Sequence, residues 1–267
     1  MADFEFRSLP FRQALLYLRR KLNLPSRIWL NVLREENDWA FQVAGATKAE
    51  LLTGLRESVD KAIEQGTTLE EFRKDFDRIV QQQGWNYRGS RGWRTRMIYQ
   101  TNLRTAHAAG RYQQMESDRV KARRPYRQYR HGGSREPRVL HVTRAPKGWN
   151  GLVLRADDPW WLIHYPPNDW GCSCFVVTLS DADLERLGLV VSEPPDRGTY
   201  EWVNPDTGEV EDIPVGVGPE WTYAPGASKQ EQRGQIFERM LSRMDANLRA
   251  QVEEASRLTR GSHSPLP

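Results

Sequence analysis

Apolar residues recur at helical intervals through the first 85 positions of the chain. Phe11, Ala14, Leu15 and Leu18 form a stripe that ends before Pro25, and Trp29, Val32, Leu33, Ala40 and Val43 suggest a second helix. Leu52, Leu55, Val59 and Ile63 share one face over residues 48–65, and Gly66 is placed to end that helix in a left-handed turn. Thr67, Thr68, Glu70 and Glu71 then offer overlapping capping boxes to a helix carrying Phe72, Phe76, Ile79 and Val80. The stretch QGWNYRGSRG at 83–92 reads as a connection, and residues 94–123 return to helix formers with no proline before Pro125.

The period changes after Pro125. PYRQYR, LVLRA and CFVVTL are short β-prone pieces set among turn residues, as in a small α+β unit. Residues 181–187 make a short helix capped by Ser180 or Asp181, and TYEWVNPDTGEVEDIPV reads as a hairpin turning at 204–208, a candidate projecting arm. From Ser228 to about Leu258 one long helix is expected, with Ser228 and Glu231 as its capping box. Ile236, Met240, Met244, Leu248 and Val252 follow at intervals of four. That stripe needs a covering surface, either the body of the protein or another subunit. GSHSPLP reads as a loose tail. The chain is thus expected to be an α+β protein in four parts: a helical lobe (1–85), a basic α+β core (86–190), a hairpin arm (191–226), and a terminal helix with tail (227–267).

Charge sharpens this picture. Residues 88–155 hold 17 Lys or Arg against Glu116, Asp118 and Glu136, leaving 22 basic and 32 acidic residues elsewhere. An asymmetry of this size points to one face meeting a polyanion or an acidic partner. The candidates are Arg111, Arg119, Lys121, Arg123, Arg124, Arg127 and Arg130, interleaved with Tyr112, Tyr126 and Tyr129. Guanidinium groups neutralise phosphates without reading bases, so binding to double-stranded DNA would be salt-sensitive and independent of sequence. The bland alternative is that these cations pair with the acidic flanks. No stretch approaches the roughly 20 apolar residues of a membrane span, and the start lacks a signal-peptide pattern, so a cytosolic site of synthesis and no membrane partner are expected.

Three segments, GTTLEEFRKDFDRIVQQQGW, RMIYQTNLRTAHAAGRYQQM and DDPWWLIHYPPNDWGCSC, resemble in order the phage Mu F-like head morphogenesis family over about residues 10–188. The resemblance implies a minor capsid protein rather than an enzyme, present in few copies around the portal vertex and inner head of the virion after assembly in the host cytoplasm. It implies portal protein, major capsid protein and packaged DNA as partners, and no cofactor. Where the family carries Asp-x-Arg before its central histidine, this chain reads Ser134, Arg135, Glu136, Pro137, Arg138, Val139, Leu140, His141.

Some residues admit chemical readings. Cys172 and Cys174, with His141 and His164, could make a Cys2His2 zinc site, but a one-residue gap between paired cysteines is unusual for zinc. The reading favoured on spacing is two buried thiols on one face of a strand. A nuclease-like or toxin-like enzyme using His141 and Arg138, with Tyr129, is the alternative to a binding protein, set against a purely structural His141. In DDPWWLIHYPPNDWG the prolines and aromatics predict a rigid packed corner, or a docking surface if the rings are exposed, and Asn168 is expected to cap a turn through its side chain.

Overall fold

A computed structural model of the protein describes residues 11–261, so the tail sequence from 262 onward lies outside the described residues. Helix α1 (Arg12–Arg19) is followed by a short parallel pair, β1 (Leu22–Asn23) with β2 (Ala40–Phe41). Helices α2 (Ala49–Gln65) and α3 (Leu69–Gln83) end in Gly66 and Gly84, both left-handed. The Thr68 hydroxyl accepts from the Glu71 amide while the Glu71 carboxylate accepts from the Thr68 amide, which closes the expected capping box.

The expected second helix does not form. Residues 29–38 make two 3-10 turns, Trp29–Asn31 and Arg34–Asp38, and then enter β2. Local side chains satisfy the backbone in place of a helical ladder. Asn31 Oδ1 accepts from the amides of Arg27 and Ile28, Glu36 Oε2 accepts from Leu33, and Arg34 takes a φ of 50°. Val32, Leu33, Ala40 and Val43 are nonetheless buried, so the sequence located the core positions and mistook their period.

Helix α4 (Arg91–Met115) starts three residues earlier than expected, because the Ser90 hydroxyl caps it through the Trp93 amide. It stops at Glu116, and α5 (Asp118–Arg123) follows as a separate piece. Glu116 is drawn to Lys121 and Arg127, and the Ser117 hydroxyl donates to the Gln114 carbonyl. The three β-prone pieces become β3 (Tyr126–Arg130), β4 (Val153–Arg155) and β5 (Phe175–Leu179), an antiparallel sheet in the order β4-β3-β5. Between them lie the single turns α6 (Val139–Val142) and α7 (Trp161–His164), and α8 (Asp181–Leu187) follows with Ser180 as its cap. The hairpin pairs β6 (Thr199–Val203) with β7 (Val210–Pro214), and Asn204 Oδ1 accepts from the amides of Asp206 and Thr207 at the turn. Arg34 holds one strand through Glu211, and Tyr200 donates to the Val217 carbonyl.

The single terminal helix is interrupted. It begins with a 3-10 turn at Gln230–Gln232, where Gln232 rather than Glu231 receives the capping amide, that of Lys229. Helix α9 (Arg233–Ser242) is separated from α10 (Ala246–Gly261) by Asp245, whose carboxylate accepts from the amides of Asn247 and Leu248. The stripe survives the break. Met240, Met244, Leu248 and Val252 are buried against Leu22, Leu24, Val32 and Ala40, so the body of the chain itself covers this face.

Two further clusters complete the interior. One packs α1, α2, α3 and the first part of α4. The other joins Tyr112 and Met115 at the end of α4 to the sheet and to Trp149, Trp160, Trp161 and Tyr165. Helix α4 therefore serves both. Its packing on α1 depends on Gly110, where an added Cβ would lie 2.8 Å from the Ala14 backbone nitrogen. On helix propensity alone Gly110→Ala should stabilise by about 1 kcal/mol. Overpacking against backbone costs about 1–3 kcal/mol, so net destabilisation is expected, read as a lower denaturant midpoint with an unchanged slope.

Candidate functional site

The middle of the sheet positions the chemistry. Arg127 and Tyr129 point from β3 to one face. Arg127 is 1% exposed, pairs with Glu116 and lies over the Tyr112 ring, while the Tyr129 hydroxyl donates to Asn168 Oδ1. Asn168 thus spends its side chain inside the core, and its carbonyl receives the Gly218 amide. The β3–β5 register runs from Tyr126↔Leu179 to Arg130↔Phe175. Continued by one position, it sets His131 opposite Cys174.

Both cysteines precede β5, are buried, and face histidines. Cys172 Sγ lies 3.8 Å from His141 Nδ1, and Cys174 Sγ lies 3.7 Å from His131 Nδ1. Nε2 of His141 donates to the Gly216 carbonyl at 2.7 Å, which leaves Nδ1 as the lone-pair nitrogen facing sulfur. The imidazole also stacks on Trp149 at 4.8 Å between centroids. Gly216 is required there, since its φ is 95° and a Cβ would lie 2.6 Å from the Trp149 ring. A hydrogen bond from Cys174 draws the Cys172 thiol well below the usual thiol range, against its burial and with help from His141. The same interaction holds Cys174 up.

His164, the other histidine expected at this site, stands apart. It stacks on Trp160 at 4.3 Å, and Nδ1 donates to the Trp160 carbonyl. It is not among the three residues, His141, Cys172 and Cys174, whose ligand atoms lie within 4.8 Å of one another. His131, which periodicity and spacing did not single out, is the histidine that lies beside Cys174. Only the strand register could have revealed it.

The nuclease-like trio does not form an open site. His141 is 2% exposed and Tyr129 fully buried, and Arg138 is paired with Asp169, which burial raises towards the neutral acid against that guanidinium. Glu136, the nearest substitute for the family's acid, is exposed.

The basic stretch divides in two. Lys121 pairs with Glu116, Arg124 with Asp183 and the Thr178 carbonyl, and Arg127 is enclosed. Arg111, Arg119, Arg123 and Arg130 are exposed, and none of the four has an acidic partner among the described residues. A cleft of about 1110 Å³ opens beside α4, with Arg96 and Arg135 in its wall together with Trp93 and Trp170, which are 47% and 39% exposed. In the proline-aromatic motif Trp160, Trp161 and Tyr165 are core residues, so it forms the expected packed corner with Trp170 left at the edge.

Burial lowers the pKa of His164 from 6.5 to about 4, opposed by its bond to the Trp160 carbonyl. The unfolded chain therefore binds this proton first, and the stabilisation from the neutral ring is lost as pH falls from about 6.5 towards 4. At pH 4.5 His164→Gln should show a decline from its pH 7 stability that is smaller than wild type's by about 2 kcal/mol, read by denaturant unfolding.

No solved structure matches the chain. The family model for Phage Mu protein F like protein matches residues 53–177. The chain is 32% identical over 91% of its length to "Putative capsid assembly protein F" of Escherichia phage Mu, and covers 60% of that protein. It is 30% identical over 88% of its length to "Mu-like prophage FluMu F protein" of Haemophilus influenzae, and covers 61% of that one. The chain thus spans about three fifths of the relatives it matches. The matched region holds α3, α4, the sheet as far as Val177 and both cysteines, and over it the chain is similar to the Phage Mu protein F like family.

Proposed function

We propose that the protein is a head-morphogenesis component of a Mu-like tailed phage, a minor capsid protein that works by binding rather than by catalysis. The observation that carries this reading is the likeness to the phage Mu capsid assembly protein across nine tenths of the chain. In the reading, the protein lies at the portal vertex or inner head surface, in several copies, and contacts portal and major capsid protein. It assembles there from the host cytoplasm. The domain limits expected from the sequence serve as a working division of these tasks. Among the described residues no helix is long and apolar enough to cross a membrane.

Two surfaces suit such contacts. Arg111, Arg119, Arg123 and Arg130 offer exposed charge to packaged duplex DNA. The basic cleft with Trp93 and Trp170 suits an acidic segment of a partner protein, with the indoles as anchors. Lys121, Arg124 and Arg127 support the first surface from within through their ion pairs.

The full chain is expected to bind duplex DNA of arbitrary sequence at low salt. Charge reversal of the four exposed arginines should make the slope of log K against log salt shallower, by up to about 0.9 for each phosphate no longer neutralised. Undetectable binding at low salt would remove DNA from the proposal. Absence of the protein from purified virions by mass spectrometry, with no capture of portal or major capsid protein, would remove the capsid role.

A further inference from the structure

We propose that Cys172, Cys174, His141 and His131 form a closed, structural zinc site. The ligand atoms of the first three lie within 4.8 Å of one another, and all three residues are buried. His131 joins through Cys174 at 3.7 Å. With Zn–S of about 2.3 Å and Zn–N of about 2.0 Å, the S–N edge of a tetrahedron is about 3.5 Å, close to the spacing of both sulfur–histidine pairs.

The donor set selects the ion. Thiolate and imidazole donors favour zinc over the hard, oxygen-seeking cations. Four protein ligands leave no open position, as in structural sites rather than catalytic ones. The surroundings are those of a ligand shell. The Nε2–H of His141 is held by the Gly216 carbonyl, which fixes the tautomer and aims the Nδ1 lone pair at sulfur.

Backbone geometry resolves the objection to a one-residue gap. At Gly132 an added Cβ would lie 2.0 Å from the Ser173 carbonyl oxygen, so the turn after His131 presses directly on the turn between the cysteines. Gly133 and Gly171, at φ 73° and 74°, bend the chain on either side. The run from Cys172 to Cys174 then brings both sulfurs beside His141 of α6, and His131 follows the end of β3. A zinc ion at this point would cross-link the end of β3, the start of β5 and α6. The small sheet gains a staple at the end where β3 and β5 stop pairing.

The test is metal analysis of the full chain, freed of any affinity tag and kept reduced. About one zinc per chain is expected, and cobalt taken up in its place should give the thiolate charge-transfer and tetrahedral ligand-field bands of a two-sulfur site. His131→Ala should weaken zinc at least about tenfold, while His164→Ala should retain the full equivalent. A folded wild-type chain that holds no zinc and takes up no cobalt overturns the site, as does metal retained by a folded Cys172→Ser, Cys174→Ser variant. Unchanged zinc affinity in His131→Ala overturns the fourth ligand. Should the cysteine variants fail to fold, the cobalt spectrum of the wild type decides, since a spectrum without thiolate bands also overturns the proposal.

Discussion

The close approach of three backbone segments at Ala109 and Gly110 of α4 is the constraint on which the remaining architecture rests. On one side Gly110 admits α1, and on the other Ala109 faces Gly226, where a Cβ would sit 2.9 Å from the Ala109 carbonyl oxygen. The buried carboxylate of Asp38 closes the same knot, since it accepts from the Tyr17 hydroxyl and from the amides of Gly226 and Ser228. Removing one partner would leave the others buried and unpaired. By fixing residues 226–228, this arrangement sends α9 and α10 back across β1 and β2. The first and last thirds of the chain are thereby one packed body.

The other end of α4 carries the second core, and here aromatic rings take the place of aliphatic layers. Trp149 touches Tyr129, His141, Trp160 and His164, so one indole sets the positions of residues from the sheet and two short helices. Large rigid rings contribute much buried area for little entropy cost, which suits a sheet whose strands run to only five, three and five residues. Arg104 of α4 donates to the carbonyls of Gly171 and Cys172, linking the helix to the cysteine turn. The Trp-Gly-Cys-x-Cys motif is thus explained by geometry: a glycine bend, a tethered turn, and two sulfurs delivered to the histidines.

The basic segment shows how far formal charge can mislead. Its 17 cations are not equivalent once folded. Some neutralise Glu116, Asp169 and Asp183 within the fold, and the exposed remainder is what a polyanion or acidic partner could meet. An exposed guanidinium loses little hydration until a phosphate or carboxylate arrives, whereas one enclosed like Arg127 must be paired from the outset.

Local sequence determined the elements whose signals are local. The capping box at Thr68, the glycine stop at Gly66, the hairpin around Asn204, and the β-prone strands all formed where the chain's own periodicity and turn chemistry placed them. Tertiary structure decided what depends on residues far apart. Residues 29–43 have helical spacing yet fold as turns, because Asn31 and Glu36 satisfy the backbone first and β1 offers a strand partner. The cover over Met240 and Leu248, the enclosure of Arg127, and the approach of His131 to Cys174 were likewise invisible in sequence. Periodicity reports which face of an element is apolar, but only the register of β3 on β5 and the packing of Trp149 determine which side chains meet across it.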